Sequence, residues 1–152
     1  MYYFENINQQ LKLKVILDSW LNTPFKHRCG VKGLGCDCIH FAARVLEELG
    51  ILTWRKSLVS DYPKDWHLHN TRERLCEAIE SELNVKKFEI QAIADFMNGD
   101  LVVLHIGKAA AHASIFFDDY LYQALTDCGV VKIHRQDKVM RRQMKYVYRI
   151  LK

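Results

Sequence analysis

Gly35-Cys36-Asp37-Cys38-Ile39-His40-Phe41-Ala42-Ala43-Arg44-Val45-Leu46-Glu47-Glu48-Leu49-Gly50 is the stretch on which the fold turns. Phe41, Ala42, Val45, Leu46 and Leu49 lie on one face of a helix that begins at Cys38, and Gly50 supplies its C-terminal stop. A thiol at a helix start meets backbone N–H groups that lack intrahelical partners, together with the positive end of the helix dipole. The position therefore predicts a stabilised Cys38 thiolate, able to attack a carbonyl near neutral pH.

Working outward, Leu11, Val15, Ile16 and Trp20 recur at helical spacing and predict an earlier helix that ends near Asn22-Thr23-Pro24. A loop bearing Gly30, Gly33 and Gly35 connects it to the Cys38 helix. Beyond Gly50, residues 60–70 read as an irregular connection with aromatic anchors, and helix returns from Thr71 to Leu83 with Leu75, Ala78, Ile79 and Leu83 inward. Strands dominate thereafter. Asn98-Gly99-Asp100 turns the chain into the apolar run Leu101-Val102-Val103-Leu104, and Ala111 to Phe117 and Tyr120 to Leu125 flank a hairpin turn at Asp118-Asp119. Val130 to Ile133 and Tyr146 to Ile150 add further strands. Helices first and antiparallel strands second predict a single α+β domain over residues 1–152.

Composition bounds the function. The chain has 152 residues, 49% of them hydrophobic, which is enough for one domain with a core of its own. Its net charge of +4 is scattered apart from Arg141, Arg142, Lys145 and Arg149, so no nucleic-acid-binding face is expected, while attraction to an anionic polymer such as a cell wall stays open. No apolar run approaches the roughly 20 residues of a membrane span, and Met1-Tyr2-Tyr3-Phe4-Glu5-Asn6 lacks the layout of a signal peptide. Cytosolic synthesis is the expectation, with any export occurring inside a larger particle. The five cysteines (29, 36, 38, 76 and 128) are then expected to be free thiols.

A nucleophilic thiol needs a base, and seven histidines compete. His40, two residues after Cys38 on the same helix, points to a different side and is a poor base. His27, His67 and His69 sit in predicted loops, while His105 and His134 are read as structural groups at strand ends. His112 differs because it lies within a strand between small Ala111 and Ala113. If Asp118-Asp119 is a two-residue turn, His112 stands opposite Leu125, and Gln123 projects from the same face at the diagonal position, within reach of the ring. A Gln123 carbonyl accepting one ring N–H would aim the other nitrogen at Cys38, the logic of a cysteine, histidine and amide triad.

These motifs resemble the NlpC-type papain-like cell-wall peptidases: Gly35-Cys36-Asp37-Cys38 before a helix, Gly99-Asp100-Leu101-Val102 before a strand, then His112-Ala113-Ser114-Ile115 and a polar residue on the next strand. Thr23-Pro24-Phe25, Val31 to Cys38, Tyr62 to His69 and Leu125 to Val131 resemble the phage-tail and gene-transfer-agent branch, so that the likeness spans about residues 11–135. The resemblance implies Cys38 as nucleophile, His112 as general base and then acid, and Gln123 as orienting residue. It also implies a Cys38 N–H in an oxyanion hole, where one donor is worth about 2.7–4 kcal/mol of barrier. Asp37 would meet the free amine of a short peptide, and Phe25 and Ile39 would line the substrate site. The implied reaction is amide hydrolysis in peptidoglycan stem peptides, at a γ-D-glutamyl bond, through a thioester and without a cofactor, with phage-tail or prophage proteins as partners. Phe25 replaces the usual Tyr of the approach loop, and Ile39-His40 replace a usual Ser-Gly after the cysteine.

Other readings stand beside this one. Cys38 as an inert core residue is the base expectation for any single cysteine. A metal site could draw on His27, Cys29, Cys36, Cys38 or His40, although paired C-x-x-C spacing is missing. A structural or assembly component of a phage-like tail, its activity decayed, is the alternative from another functional class. Cys76 and Cys128 are read as structural, and Cys36 as a thiol that protects or regulates its neighbour under oxidation.

Overall fold

A computed structural model describes residues 1–53 and 73–152 of the chain. Helices α1 (Ile7–Trp20), α2 (Cys38–Glu48) and α3 (Arg74–Glu82) precede most of the strands, with a two-residue-per-strand hairpin, β1 (Gly30–Val31) and β2 (Gly35–Cys36), between α1 and α2. Then follow β3 (Val85–Glu89), β4 (Leu101–Ile106), β5 (Ala109–Phe117), β6 (Tyr120–Leu125), β7 (Gly129–His134), the short helix α4 (Lys138–Gln143) and β8 (Met144–Ile150). The six long strands form one antiparallel sheet in the order β3-β8-β4-β5-β6-β7. The α+β class expected from the sequence is the class observed. The aromatic segment at residues 60–70, with His67 and His69, and the start at Thr71 expected for α3 lie outside the described residues.

The sheet separates two apolar layers. On one face Leu101, Val103, Ala113, Ile115 and Tyr148 pack with the helices around Leu17, Trp20, Phe41 and Val45. On the other, Val102, Leu104, Phe116 and Leu121 pack with Met140 of α4 and with Met144 and Val147. Strand alternation places successive residues of β4 in different layers. Helix α2 buries the face expected of it, and its C-terminus is a Schellman closure. Gly50 adopts φ +75°, its N–H donates to Glu47 O at 2.9 Å, and the Ile51 N–H donates to Leu46 O at 3.0 Å.

Helix α1 forms where expected but turns a different face inward. Leu13, Leu17 and Trp20 are buried, Ile16 is partly buried, and Leu11 and Val15 are 58% and 70% exposed. Two apolar stripes run along this helix, and the choice between them is made by tertiary partners. Trp20 sets its ring edge-on to Phe41 and donates its indole N–H to Glu48 at 2.8 Å, while Gln10 donates to Phe4 O at 2.9 Å. That leaves Ile7, Leu11 and Val15 facing outward.

The Gly99-Asp100 turn proves to be a structural clamp. Gly99 has φ +92°, and a Cβ there would run into the Phe4 ring, so glycine is required on both counts. Asp100 is 1% exposed and holds Arg149 of β8 in a two-pronged pair, with Nε to Oδ1 at 2.9 Å and Nη2 to Oδ2 at 2.7 Å, while also accepting the Met97 N–H. Removing one partner strands the other charge in the interior. Arg149→Met is therefore expected to cost about 3–5 kcal/mol of stability, measured by urea unfolding; a change within error of zero would refute this role.

Candidate active site

Three connections bring the helix start to the sheet. The approach loop Thr23-Pro24-Phe25 lies between β7 and β2: Val130 N–H donates to Thr23 O at 2.8 Å, Cys36 N–H donates to Pro24 O at 3.0 Å, and Phe25 bridges Cys36. Gly129, at φ +74°, lets β7 approach so closely that a Cβ would strike the Thr23 carbonyl. The third connection is the cap of α2. Asp37 Oδ1 accepts the His40 N–H at 2.8 Å, ending the helix cleanly with Cys38 in its first turn.

Asp37 is enclosed where it caps the helix. It is buried, Oδ1 also lies 2.8 Å from His40 Nδ1, and Oδ2 accepts the Arg28 N–H at 2.9 Å with His27 Nδ1 4.0 Å away. A carboxylate enclosed and engaged in this way shapes the cysteine loop. An Asp directly before an apolar-periodic helix was the available signal. His40 is likewise committed to Asp37, in keeping with its dismissal as a base. Ile39 packs on Ala109 and Ala111 and borders an apolar groove between α2 and α3 with Leu46, Leu75, Ile79 and Ala113. Phe25 is half-buried against the main core.

Cys38 lies against the strand that carries His112, its Sγ 3.9 Å from Ala111 O. The N–H groups of Ala113, Ile39 and Cys38 favour a thiolate there, as the helix-start argument requires. They do not prevail: burial, aided by the Asp37 charge, pushes the Cys38 thiol up to about 12. The expectation of a preformed thiolate is corrected accordingly, because desolvation depends on tertiary packing that helix position does not report. Burial therefore opposes ionisation of the Cys38 thiol in the substrate-free protein. Iodoacetamide should thus alkylate substrate-free Cys38 slowly at pH 6 and about tenfold faster per pH unit above that; rapid, selective labelling at pH 6 would contradict it.

The hairpin geometry is as the sequence predicted. Asp118 and Asp119 both have positive φ in the two-residue turn, Phe117 pairs with Tyr120, and Ile115 pairs with Tyr122. His112 Nε2 then meets Gln123 Oε1 at 2.8 Å, with both residues buried. Cys38 thus rests against β5 at Ala111, and on the same strand His112 is engaged by Gln123 of β6. His134 instead lies exposed on β7, accepting the Gln136 N–H at Nδ1.

All five cysteines are free: Cys76 is buried beside Tyr148, whereas Cys128 is exposed in the β6–β7 turn, not in the core. Burial also pushes the Cys36 thiol up to about 12. Among the described residues no group of three or more His, Cys, Asp or Glu side chains is arranged to hold a metal ion. No helix among them is long and apolar enough to cross a membrane.

No protein-family model matches the sequence, and no curated protein is significantly similar to it. Solved structures do match in shape. An NLP/P60-family protein described as similar to lipoprotein, from Staphylococcus aureus subsp. aureus Mu50, superposes with a TM-score of 0.66 over 99% of this chain at 12% identity. An NlpC/P60 family protein from Bacillus cereus ATCC 10987 gives a TM-score of 0.61 over 94% of the chain at 16% identity. The chain spans less than half of either protein, 44% and 40% of their lengths. Its fold is that of NlpC/P60 proteins, a papain-like α+β arrangement.

Proposed function

We propose that the protein is a cysteine peptidase of the NlpC type that hydrolyses an amide bond in peptidoglycan stem peptides. The observation that carries this reading is the buried His112–Gln123 pair at 2.8 Å on the strand against which the Cys38 thiol rests. Such an arrangement suits acyl transfer. As Cys38 Sγ attacks the carbonyl carbon, its proton passes to His112, which then protonates the leaving amine. Water, deprotonated by His112, opens the thioester and restores the thiol. The Cys38 N–H, at the start of α2, is suited to stabilise the oxyanion. With the thiol raised by burial, proton transfer to His112 is expected to accompany attack.

The substrate assignment rests on the sequence motifs and on the shared fold, with the γ-D-glutamyl bond as the target and a phage-like tail as the setting. Phe25 and the Ile39-bordered apolar surface predict that peptide recognition differs in detail from relatives that carry Tyr and Ser there. Digestion of muramidase-released peptidoglycan fragments, read by mass spectrometry, tests the proposal. Two products that together equal the substrate plus one water, split after D-glutamate, are expected. Stem peptides left intact at high enzyme concentration would overturn it.

A further inference from the structure

The His112–Gln123 contact raises a question of direction. A glutamine amide offers two N–H donors at one end and an acceptor oxygen at the other, and a neutral imidazole can serve as either partner at Nε2. With the oxygen toward His112 the ring is protonated at Nε2 and Nδ1 carries the lone pair. With the amide reversed, Nε2 would carry the lone pair and Nδ1 the proton, and no base would remain at Nδ1. The wrong tautomer has no catalytic proton acceptor on that side.

The other end of the amide settles which way it faces. Gln123 Nε2 lies 3.3 Å from the Sδ of Met140, on α4. A thioether has no proton to give and can only accept. Reversal would set the amide oxygen against the sulfur lone pairs and forfeit the N–H···S hydrogen bond. Gln123 is fully buried and Met140 nearly so, among Val102, Leu104, Phe116, Leu121 and Met144, so that no water compensates a misdirected amide cheaply. Met140 is itself held in place: Asp137 Oδ1 accepts the N–H groups of Val139 at 3.0 Å and Met140 at 3.1 Å, capping the helix.

We propose that Met140 is a positioning residue whose thioether, by accepting the Gln123 N–H, commits the amide oxygen to His112 and fixes the imidazole as the Nε2–H tautomer with Nδ1 as its basic nitrogen. Its value for catalysis rests on the peptidase reading, whereas the tautomer itself does not. The relay runs from the Asp137 cap through Met140 and Gln123 to the ring, and it enters from the sheet face opposite α2.

The test is the tautomer of His112, read from its ring nitrogen shifts by NMR in Cys38→Ala protein, where turnover plays no part. The parent should show the Nε2–H form. Met140→Leu, which keeps volume and removes the acceptor, should raise the ratio of Nδ1–H to Nε2–H about fivefold, and Met140→Gln, whose amide oxygen can accept again, should restore most of the preference. In the active background Met140→Leu should lower kcat about twofold or more with KM unchanged, since only the proton acceptor is affected. An unchanged Nε2–H tautomer in folded Met140→Leu overturns the proposal; should that variant fail to fold, Met140→Ile removes the same acceptor and is judged by the same ratio. A tautomer shift in a protein that cleaves no stem peptide would leave the relay standing and the peptidase reading fallen.

Discussion

Cys38→Ala is expected to reduce stem-peptide hydrolysis about 10⁴–10⁶-fold, to the background of the uncatalysed reaction. The alanine methyl cannot form the covalent intermediate. Cys36 is the nearest thiol in sequence, but it is fully buried, and its place in β2 ties it to Pro24 and Lys26 through the backbone. Folding should be unaffected, because α2 is fixed by Asp37 and by Phe41, Val45 and Leu46, none of which depends on the sulfur. An unchanged thermal midpoint beside lost turnover is the expected pair of results. Loss of both would mean that Cys38 is a packing residue.

His112→Ala is expected to cost about 10²–10⁴-fold in kcat at pH 7. The sign of its pH dependence follows from the Cys38 thiol, raised to about 12 by burial. With the imidazole gone, attack must wait for the rare thiolate. Residual activity should then climb about tenfold per pH unit toward alkaline pH, narrowing the gap to the parent enzyme. A flat profile in His112→Ala would show that Cys38 does not depend on a neighbouring base. Gln123→Ala should cost less than His112→Ala, since the amide orients the ring without accepting the proton from sulfur.

The helix start at Cys38 and the His112–Gln123 contact are legible in the sequence because both signals are local. Cys38 stands one residue after a good helix-capping type, and the Asp118-Asp119 turn fixes the hairpin register that sets Gln123 diagonal to His112. Where the sequence misleads, competition between equivalent local patterns or burial is responsible. Helix α1 carries two apolar stripes, and only Phe41, Glu48 and Phe4 select the one with Leu13, Leu17 and Trp20. The raised Cys38 thiol reflects packing between α2 and β5, about which a helix-start motif says nothing. The resemblance presents Asp37 only as a substrate-facing carboxylate and passes over its cap on α2, a local signal in the sequence. Strand β3, Val85-Lys86-Lys87-Phe88-Glu89, escapes notice because it is a lysine-bearing edge strand with a weak apolar signal. Met140 escapes because its role depends on a contact with Gln123 across 17 residues.

Rapid-quench mass spectrometry of the enzyme mixed with a stem peptide tests the central claim most directly, by asking whether an acyl group becomes attached to sulfur. The account predicts a transient, hydroxylamine-labile thioester on the tryptic peptide that contains Cys38, formed and lost in step with turnover and missing in Cys38→Ala. Turnover that proceeds with Cys38 unmodified, or that survives its replacement by alanine, would contradict it.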